Sequence, residues 1–470
     1  MLTAHRVADI RAAEKAAAAS AGWDGLMQRA VAALTDVLAR VLPEDAVPIV
    51  LVGPGNNGGD ALFAAAALCR RGRRVDVALL DRGHVHEAGL AEALASGVRV
   101  VDGPVDHDHV VDAVFGIGAR AGLDGRAAEW AGWVEGRRPF VVAVDVPSGI
   151  GVDDGVRPGP SIPADVTVTF GTAKVGLLVG PGGLSSGRVL VRDIGLAPHL
   201  SAPAAEAIEA GDGQRYRSIV PGPEAHKYSR GVVGIEAGSP AYAGAAHLCV
   251  AGAQAGPAGM VRFVGEPDLA ARVVDRAPEV VAGRGRVQAW VVGPGGQDSP
   301  DPLISALADD VPVVVDASAL AHLPERLRPD VVLTPHAGEL ARLLDVERAE
   351  VEADPLLSAR RVVERWNATV LLKGPRTLVV SPDGRVRVNL SGTSWLGTAG
   401  AGDVLAGFVG SLLASGLDAL EAASVGAYLH GVAGARAARG GPFPAHVVAD
   451  ELRGVLHDFL EGTLDDEEAR

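Results

Sequence analysis

The stretch VPIVLVGPGNNGGDALFAAAALCRRG, residues 47–72, decides the architecture. It opens on a β-branched apolar run, passes through Gly53, Gly55, Gly58 and Gly59, and continues as an alanine-rich segment. That order is a buried strand, a glycine turn and a helix. A strand apolar on both faces belongs in a parallel sheet covered on both sides. The turn lets backbone approach a ligand, and the helix start offers unpaired N–H groups and a positive dipole end, which suits a phosphate. It is not the dinucleotide GxGxxG, nor a Walker loop, because GNNGGD lacks the GK[ST] ending. Glycines alone also fit an ordinary strand-to-helix connection. Asn56, Asn57 and Asp60 add polar side chains beside the open backbone and turn the loop into a candidate site.

Outward from this unit the pattern repeats. Residues 1–40 are expected to be helical. Strand-like runs follow at 48–52, 74–80, 98–101, 110–115, 140–145 and 166–170, with helix-like segments between them. The alternation fades in the Ala-, Pro- and Gly-rich stretch around 197–215. It restarts at 231–236 and continues through 260–264, 287–292, 311–315, 331–334 and 368–372, then a hairpin about Asp383-Gly384 and a mainly helical end. Two α/β domains are expected, 1–205 and 216–470, joined by a connector at 206–215.

Composition narrows the function classes. Hydrophobic residues make up 48% of 470 and charged residues 21%, so both domains can bury real cores and bulk disorder is excluded. Lysine plus arginine is 43 against 58 acids, and the net charge of −15 argues against nucleic-acid or anionic-membrane partners. Cys69 and Cys249 lie in apolar helical stretches with no disulfide or metal spacing. The first residues lack an apolar signal core and no run is long enough to span a bilayer, so a cytoplasmic protein is expected. The tail 461–470, EGTLDDEEAR, reads as a frayed acidic end. Only four of the 43 basic residues are lysines: Lys15, Lys174, Lys227 and Lys373.

Polar residues recur at strand ends in the first domain. HVVDAVFGIGARAG places Asp112 in an apolar strand and Gly116 and Gly118 in a loop after it. FVVAVDVPSGI places Asp145 and Ser148 at the next terminus, and VTVTFGTAKVGLL supplies Lys174. Ligands bind beyond the carboxyl ends of open parallel sheets, so Asn57, Asp112, Asp145 and Ser148 are expected to converge. Oxygen ligands without histidine or cysteine suit a hard cation. A turn or helix-cap role for Asp112 and a solvated Lys174 stay open at this point.

GPGNNGGDAL, DAVFGIG, DVPSG and FGTAKVGLL, in this order, resemble the N-terminal YjeF domain of the NAD(P)H-hydrate epimerases. The resemblance covers residues 1–200 and implies a Rossmann-like three-layer sandwich that epimerises C6 of hydrated NADH and NADPH with potassium. It implies that Asn56, Asn57, Gly58, Gly59, Asp60 and the loop from Gly116 to Gly118 contact the hydrated nucleotide. Asn57, Asp112 and Ser148 would hold potassium, and Asp145 would face the substrate. Opening the hydrated carbon needs a proton donor and acceptor, and Asp145 and Lys174 are the candidates. Ala61 stands where the family has glycine, and GIGARAG replaces a threonine- and proline-containing loop.

In the second domain, SWLGTAGAGDVLAGFVGSLLASG sets Gly400, Ala401 and Gly402 before an apolar helix with Asp403 at its start. Amides there can hold a transferring phosphoryl group, and Asp403 can accept a proton from an attacking hydroxyl, or simply cap the helix. VVGPGG gives Gly293, Gly295 and Gly296, VPVVVDASAL gives Asp316, TPHAGE gives His336 and Glu339, and LLKGPRT gives Lys373, Gly374, Pro375, Arg376 and Thr377. HKYSRG gives His226, Lys227 and Arg230 before the first strand. These motifs are similar to those of the C-terminal YjeF domain, the ribokinase-like NAD(P)H-hydrate dehydratases, over residues 216–465. The resemblance implies substrate contacts at Ala258, Gly295, Gly296, His336 and Asp403. It places a nucleotide along Lys373–Thr377 with Gly400 and Gly402, with magnesium and, for a bacterial chain, ADP. It also implies a homo-oligomer.

Two other readings fit parts of the pattern. GAGD also suits a ribokinase-like kinase of a vitamin precursor such as hydroxyethylthiazole, and N-terminal YjeF domains also occur as non-catalytic binding modules. The HKYSRG and TPHAGE motifs and the epimerase-like first domain argue against the kinase, and the presence of Asn57, Asp112, Asp145 and Ser148 with a net charge of −15 argues against the binding module. Lys174, Lys227 and Lys373 fall at expected ligand loops, where an ammonium and a guanidinium are not interchangeable.

Overall fold

The computed structural model describes residues 1–118 and 120–465. Ala119, inside the Gly116–Gly122 loop, and 466–470 of the acidic tail lie outside the described residues. The chain divides into two compact units, one holding 3–205 with 352–354, the other 1–2, 206–351 and 355–470.

The first unit is built on a seven-stranded parallel sheet. Its strands are β1 (Ile49–Val52), β2 (Asp76–Leu79), β3 (Arg99–Val101), β4 (His109–Ala113), β5 (Phe140–Val144), β6 (Val166–Phe170) and β7 (Arg188–Arg192). The spatial order β3-β2-β1-β4-β5-β6-β7 reverses direction between β1 and β4. Loops leaving two neighbouring strands in opposite senses open a crevice at their carboxyl ends. Alternation within β1 sends Val50 and Val52 into one core with helices α1 (Val7–Ala21), α2 (Trp23–Val41) and α3 (Asn56–Arg70). Ile49 and Leu51 enter the opposite core, under Trp130 and Val134 of α5 (Gly125–Arg137). Near α3, the short helix α4 (Glu87–Ala95) contributes Ala93 to the first core. The unit is a three-layer sandwich. Residues 1–40 are not one helix: Gly22 at φ +73° breaks α1 from α2, and residues 2–5 are extended, with Ala4 and His5 paired to Ala173 and Lys174. The charged alternation RVLVR concealed β7.

The second unit centres on β9 (Val232–Glu236), β10 (Met260–Val264), β11 (Val281–Ala282), β12 (Ala289–Val292), β13 (Val313–Val315), β14 (Val331–Leu333) and β15 (Thr369–Leu372), in the order β11-β10-β9-β12-β13-β14-β15, all parallel. The expected hairpin, β16 (Thr377–Val380) with β17 (Val386–Asn389), extends it antiparallel. Helices α6 (Ala243–Ala255), α8 (Ala401–Ala414), α9 (Ala419–Ala438) and α10 (His446–Glu461) share a core with one face of the sheet. An eight-residue helix, α7 (Ala337–Leu344), follows β14.

The stretch expected to be a connector is folded into this unit. β8 (Ala205–Ala207) pairs with β17 through Glu206 and Arg387, and a 3-10 helix covers Ala210–Ile219. Ile208, Ala210, Tyr216 and Ile219 are buried in the core, and Tyr216 donates to Glu421 at 2.7 Å. Alternating small apolar residues, which looked like a flexible composition, serve here as a strand beside β17 and the core segment after it.

Candidate active sites

Each unit gathers its polar residues where the sheet's order reverses. In the first, β1 and β4 approach so closely beyond their ends that a methyl on Gly53 would lie 1.7 Å from the Val114 carbonyl oxygen. The turn then reaches Gly55, at φ +84°, and starts α3 at Asn56. Asn56, Asn57 and Asp60, with Gly116, Gly118, Asp145 and Lys174, line a cleft of about 880 Å³.

Asp112 is fully buried on β4. Its Oδ2 accepts from the Ser148 amide at 2.8 Å, and its Oδ1 accepts from the Ser148 hydroxyl at 2.7 Å and the Val114 amide at 3.2 Å. The Ser148 hydroxyl accepts in turn from Phe115 N–H at 3.0 Å, so it ties the loop after β4 to the loop after β5. Burial pushes the Asp112 carboxyl up to about 6, and no cationic side chain meets it among the described residues. Asn57 packs against Gly116, and its Nδ2 is buried without a hydrogen-bond partner among the described residues. A buried carboxylate lacking a countercharge among the described residues, a hydroxyl with a spare lone pair and the Asn57 side-chain oxygen beside Gly116 form an oxygen donor set that fits a potassium ion.

Asp145 sits just past β5 at φ +69°, a conformation that costs an aspartate energy and that recurs at functional sites. Its Oδ1 receives Lys174 Nζ at 2.5 Å and the Thr169 hydroxyl at 3.2 Å. Lys174, only 1% exposed, also donates to Thr169 Oγ1 at 2.8 Å and the Phe170 carbonyl at 3.1 Å. Asp60 has no such partner: its Oδ1 is buried without a hydrogen bond among the described residues. Burial first, then the charges of Asp145 and Glu14, push its carboxyl up to about 8. Burial and Asp145 also raise Glu14, opposed by Lys174 and Arg11.

The sequence missed several cleft residues: Glu14, Trp23, Asp24, Met27, Phe63 and His86. Glu14 lies in an alanine-rich helix and reads as a solvated face. His86 accepts from Gly89 N–H at 3.1 Å and caps α4, and the place where a Gly59 methyl would stand lies 2.8 Å from its ring. A histidine pressed on the glycine turn from another loop leaves no local signal.

In the second unit the reversal lies between β9 and β12, whose loops meet where Gly238 N–H donates to the Pro294 carbonyl at 2.7 Å. Gly295 then packs against Tyr242 and Ala245 at the start of α6. Asp316 follows β13, His336 follows β14 and Lys373 follows β15, all at carboxyl ends. Lys373 Nζ donates to Asp316 Oδ1 at 2.8 Å and lies 4.0 Å from Glu339 Oε2. His336 caps α7: its Nδ1 accepts from Gly338 and Glu339 N–H, and its own N–H donates to Glu339 at 2.8 Å. A methyl on Gly402 would lie 3.4 Å from Lys373 Nζ, which puts the lysine at the start of α8. Gly400, at φ +90°, makes the turn into that helix against Leu248. Burial, then Asp316, push the Asp403 carboxyl up to about 6, with Lys373 pulling it down. His430 is buried, and burial lowers its pKa to about 4, so the neutral ring donates from Nε2 to the Ala401 carbonyl at 3.0 Å. Gly374 and Thr377 hydrogen-bond each other around Pro375, and Arg376 donates to the Leu390 carbonyl at 3.4 Å. Among the described residues no three His, Cys, Asp or Glu side chains form a metal cage. Magnesium would fit only as an ion carried mainly by nucleotide phosphates, near Asp316 and Glu339.

Two expectations do not join this cluster. Ala258 precedes β10, its N–H donates to Ser411 Oγ at 3.0 Å, and it lies at the amino ends of the parallel strands. The loop after β9, which carries Tyr242 to Ala245, occupies the corresponding place at the carboxyl ends; the strand-end rule, applied to AGSPAYAGAA, would have found it. Lys227 likewise precedes β9 on an exposed loop, over Tyr228, and its backbone packs against Gly259. Lys15 is exposed, so two of the four lysines, not three, reach a site.

Comparison with known proteins agrees with both halves. Residues 233–452 match the family described as NAD(P)H-hydrate dehydratase, and 24–176 match the family described as YjeF-related protein N-terminus. The chain is 42% identical over 445 residues to the bifunctional NAD(P)H-hydrate repair enzyme Nnr of Mycobacterium tuberculosis, covering 89% of this chain and 91% of that protein. It is 40% identical over 477 residues to the enzyme of the same name from Mycobacterium leprae, covering 96% and 98%. A ribokinase-like superfamily protein from Enterococcus faecalis, 22% identical, superposes with a TM-score of 0.50 over 55% of this chain and 98% of that one, a likeness of fold. No helix among the described residues is long and apolar enough to cross a membrane. With such identity along nearly its whole length, the chain belongs to the family of bifunctional NAD(P)H-hydrate repair enzymes.

Proposed function

We propose that the chain repairs hydrated NADH and NADPH in two steps, interconverting the R and S epimers in 1–205 and dehydrating the S epimer at the expense of ADP in 216–470. The observation that carries this reading is the pairing of two carboxyl-end sites with complementary chemistry. One is a cleft lined by the carboxyls of Asp60 and Asp145, the other an amide-lined helix start beside Asp403 and Lys373.

In the second site, Asp403 takes the proton of the C6 hydroxyl. The freed oxygen attacks the terminal phosphorus of ADP while the bond to the bridging oxygen breaks, releasing AMP. The amides at Gly400–Gly402 and the Lys373 ammonium stabilise the charge on the transferring group. Loss of phosphate from C6 with a proton from C5 restores the ring double bond. Gly295, Gly296 and His336 border the dinucleotide, and Lys373–Thr377 the nucleotide. Magnesium, when bound with ADP, would neutralise phosphate charge. Asp316 and Glu339 fix Lys373, and His430 holds the first carbonyl of α8, so the hole is rigid before substrate arrives.

In the first site, the amide-rich turn at 56–60 and the loop from Gly116 to Gly118 hold the hydrated nucleotide, with Asp145 facing C6 and Lys174 anchoring it. Potassium, held by Asn57, Asp112 and Ser148, would supply the countercharge that Asp112 lacks. Cytoplasmic residence and a homo-oligomer extend the same reading.

The test is to supply mixed hydrated NADH epimers with ADP or with ATP and follow reduced-nicotinamide absorbance. Full recovery with ADP, and AMP in equal amount, is expected. A phosphorylated hydrate that accumulates without NADH would instead favour a simple kinase.

A further inference from the structure

Residue type alone points to Asp145 and Lys174 as the acid–base couple of the first site, but their geometry divides the labour differently. An ammonium has three protons to give. Those of Lys174 already meet Asp145, the Thr169 hydroxyl and the Phe170 carbonyl, inside a pocket that leaves 1% of the residue exposed. It cannot deliver one to a ligand without leaving that cage. Asp145 does line the cleft, and so does Asp60, whose buried Oδ1 has no partner among the described residues. Among the described residues no cation pairs with Asp60, while Asp145 and Glu14 both act on it with like charge.

We propose that Asp60, in its neutral form, is the proton donor of the epimerisation, with Asp145 as the acceptor and Lys174 as the positioning residue for Asp145. This rests on the epimerase reading above. Asp60 gives its proton to the C6 hydroxyl as the C6–O bond breaks and water leaves. The lone pair of N1 moves in to form a C6=N1 iminium. Water adds to the opposite face, forming the new C6–O bond and passing a proton to Asp145. The proton returns from Asp145 to Asp60 through cleft water, so the cycle closes with no oxidant or reductant. Two carboxyls on different elements, one on α3 and one past β5, suit a reaction in which oxygen leaves one face and returns to the other. Asp145 and Glu14 of α1 act directly on the titration of Asp60, Lys174 and Arg11 act on Glu14, and Asp24 of α2 and His86 line the same cleft. With its carboxyl pushed up to about 8, Asp60 is largely protonated at neutral pH.

The experiment measures R-to-S conversion by the full chain across pH, for the unmutated protein and for Asp60→Asn, with the melting transition of the first unit as the check on its folding and S-epimer dehydration by the same preparations as the check on the second. In the unmutated chain kcat/KM should fall as pH rises through about 8. In Asp60→Asn, kcat and kcat/KM should drop together by about 10²–10⁴-fold, and that basic limb should vanish. Rates within about threefold of the unmutated chain, or a retained limb, overturn the proposal. Should the variant fail to fold, the unmutated profile still decides: no fall above about 8 overturns it. A chain that dehydrates the S epimer but never accelerates R-to-S conversion overturns the epimerase reading itself, a different failure.

Discussion

Replacing Lys174 by methionine removes one member of a buried ion pair and leaves the other. Methionine fills much of the lysine's volume, so the loss is chiefly electrostatic. The Asp145 carboxylate then keeps one hydrogen bond, from Thr169 at 3.2 Å, in place of the ammonium at 2.5 Å. With Lys174 at 1% exposure and Asp145 at 8%, solvent screens little of this. Stranding one charge of a buried pair costs about 3–5 kcal/mol. For a unit of some 200 residues each kcal/mol moves the midpoint by about 2–4 °C, so the transition of the first unit should fall by about 6–20 °C. Calorimetry of the full chain measures it, with amide exchange in Phe140–Val144 and Val166–Phe170 assigning the transition. Lys15→Met, at an exposed site, should stay within about 0.5 kcal/mol. Lys174→Arg keeps the charge but forces a longer planar fork into a cage shaped for a point donor, at about 1–3 kcal/mol. Removing both charges, Asp145→Asn with Lys174→Met, should recover part of the stability and none of the epimerase activity. A Lys174→Met chain that melts with the unmutated protein and epimerises at its rate would show that the ion pair neither holds the first unit together nor positions Asp145.

Asp403→Asn should slow dehydration by about 10²–10⁴-fold while leaving epimerisation intact, measured on separated epimers. With Asp403 as the proposed base and its carboxyl pushed up to about 6, dehydratase kcat/KM in the unmutated chain should rise with pH through about 6, and Asp403→Asn should lose that limb. Exchanging potassium for a large organic cation should depress R-to-S conversion, and the loss should disappear when potassium is restored at equal ionic strength. Gly53→Ala would drive a methyl to 1.7 Å from the Val114 oxygen, so it should unfold the first unit or part its cleft, seen as lost epimerase activity and a lowered melting transition.

Much of this was legible from local chemistry. The run from Pro48 to Gly72 announced β1, the turn and α3 because valine, glycine and alanine each suit only one of those states there. Asp112, Asp145, Asp316, His336 and Lys373 were singled out by one rule, that ligands meet carboxyl strand ends, which needs no knowledge of strand order, and the fold sets all five at such ends. The rule also shows the errors. Ala258 and Lys227 come before their strands rather than after them, and motif likeness overrode that geometry. Glu14 and His86 reach the cleft from elements whose spacing carries no functional mark. The role of Asp60 depends on burial and on charges distant in sequence, which only the folded chain brings together. The packing of 206–219 was hidden because small alternating residues look alike in a strand and in a loop.

If one site epimerises and the other dehydrates, two chains disabled at different sites must complement each other. Pure R-hydrated NADH with ADP is given to Asp403→Asn chains, to Lys174→Met chains held below their lowered melting point, and to an equal mixture of the two. Each variant alone should yield NADH no faster than spontaneous epimerisation allows, and the mixture should restore rapid, complete recovery. A mixture as slow as its components, or a single variant as fast as the unmutated chain, would mean that repair is not divided between the two sites.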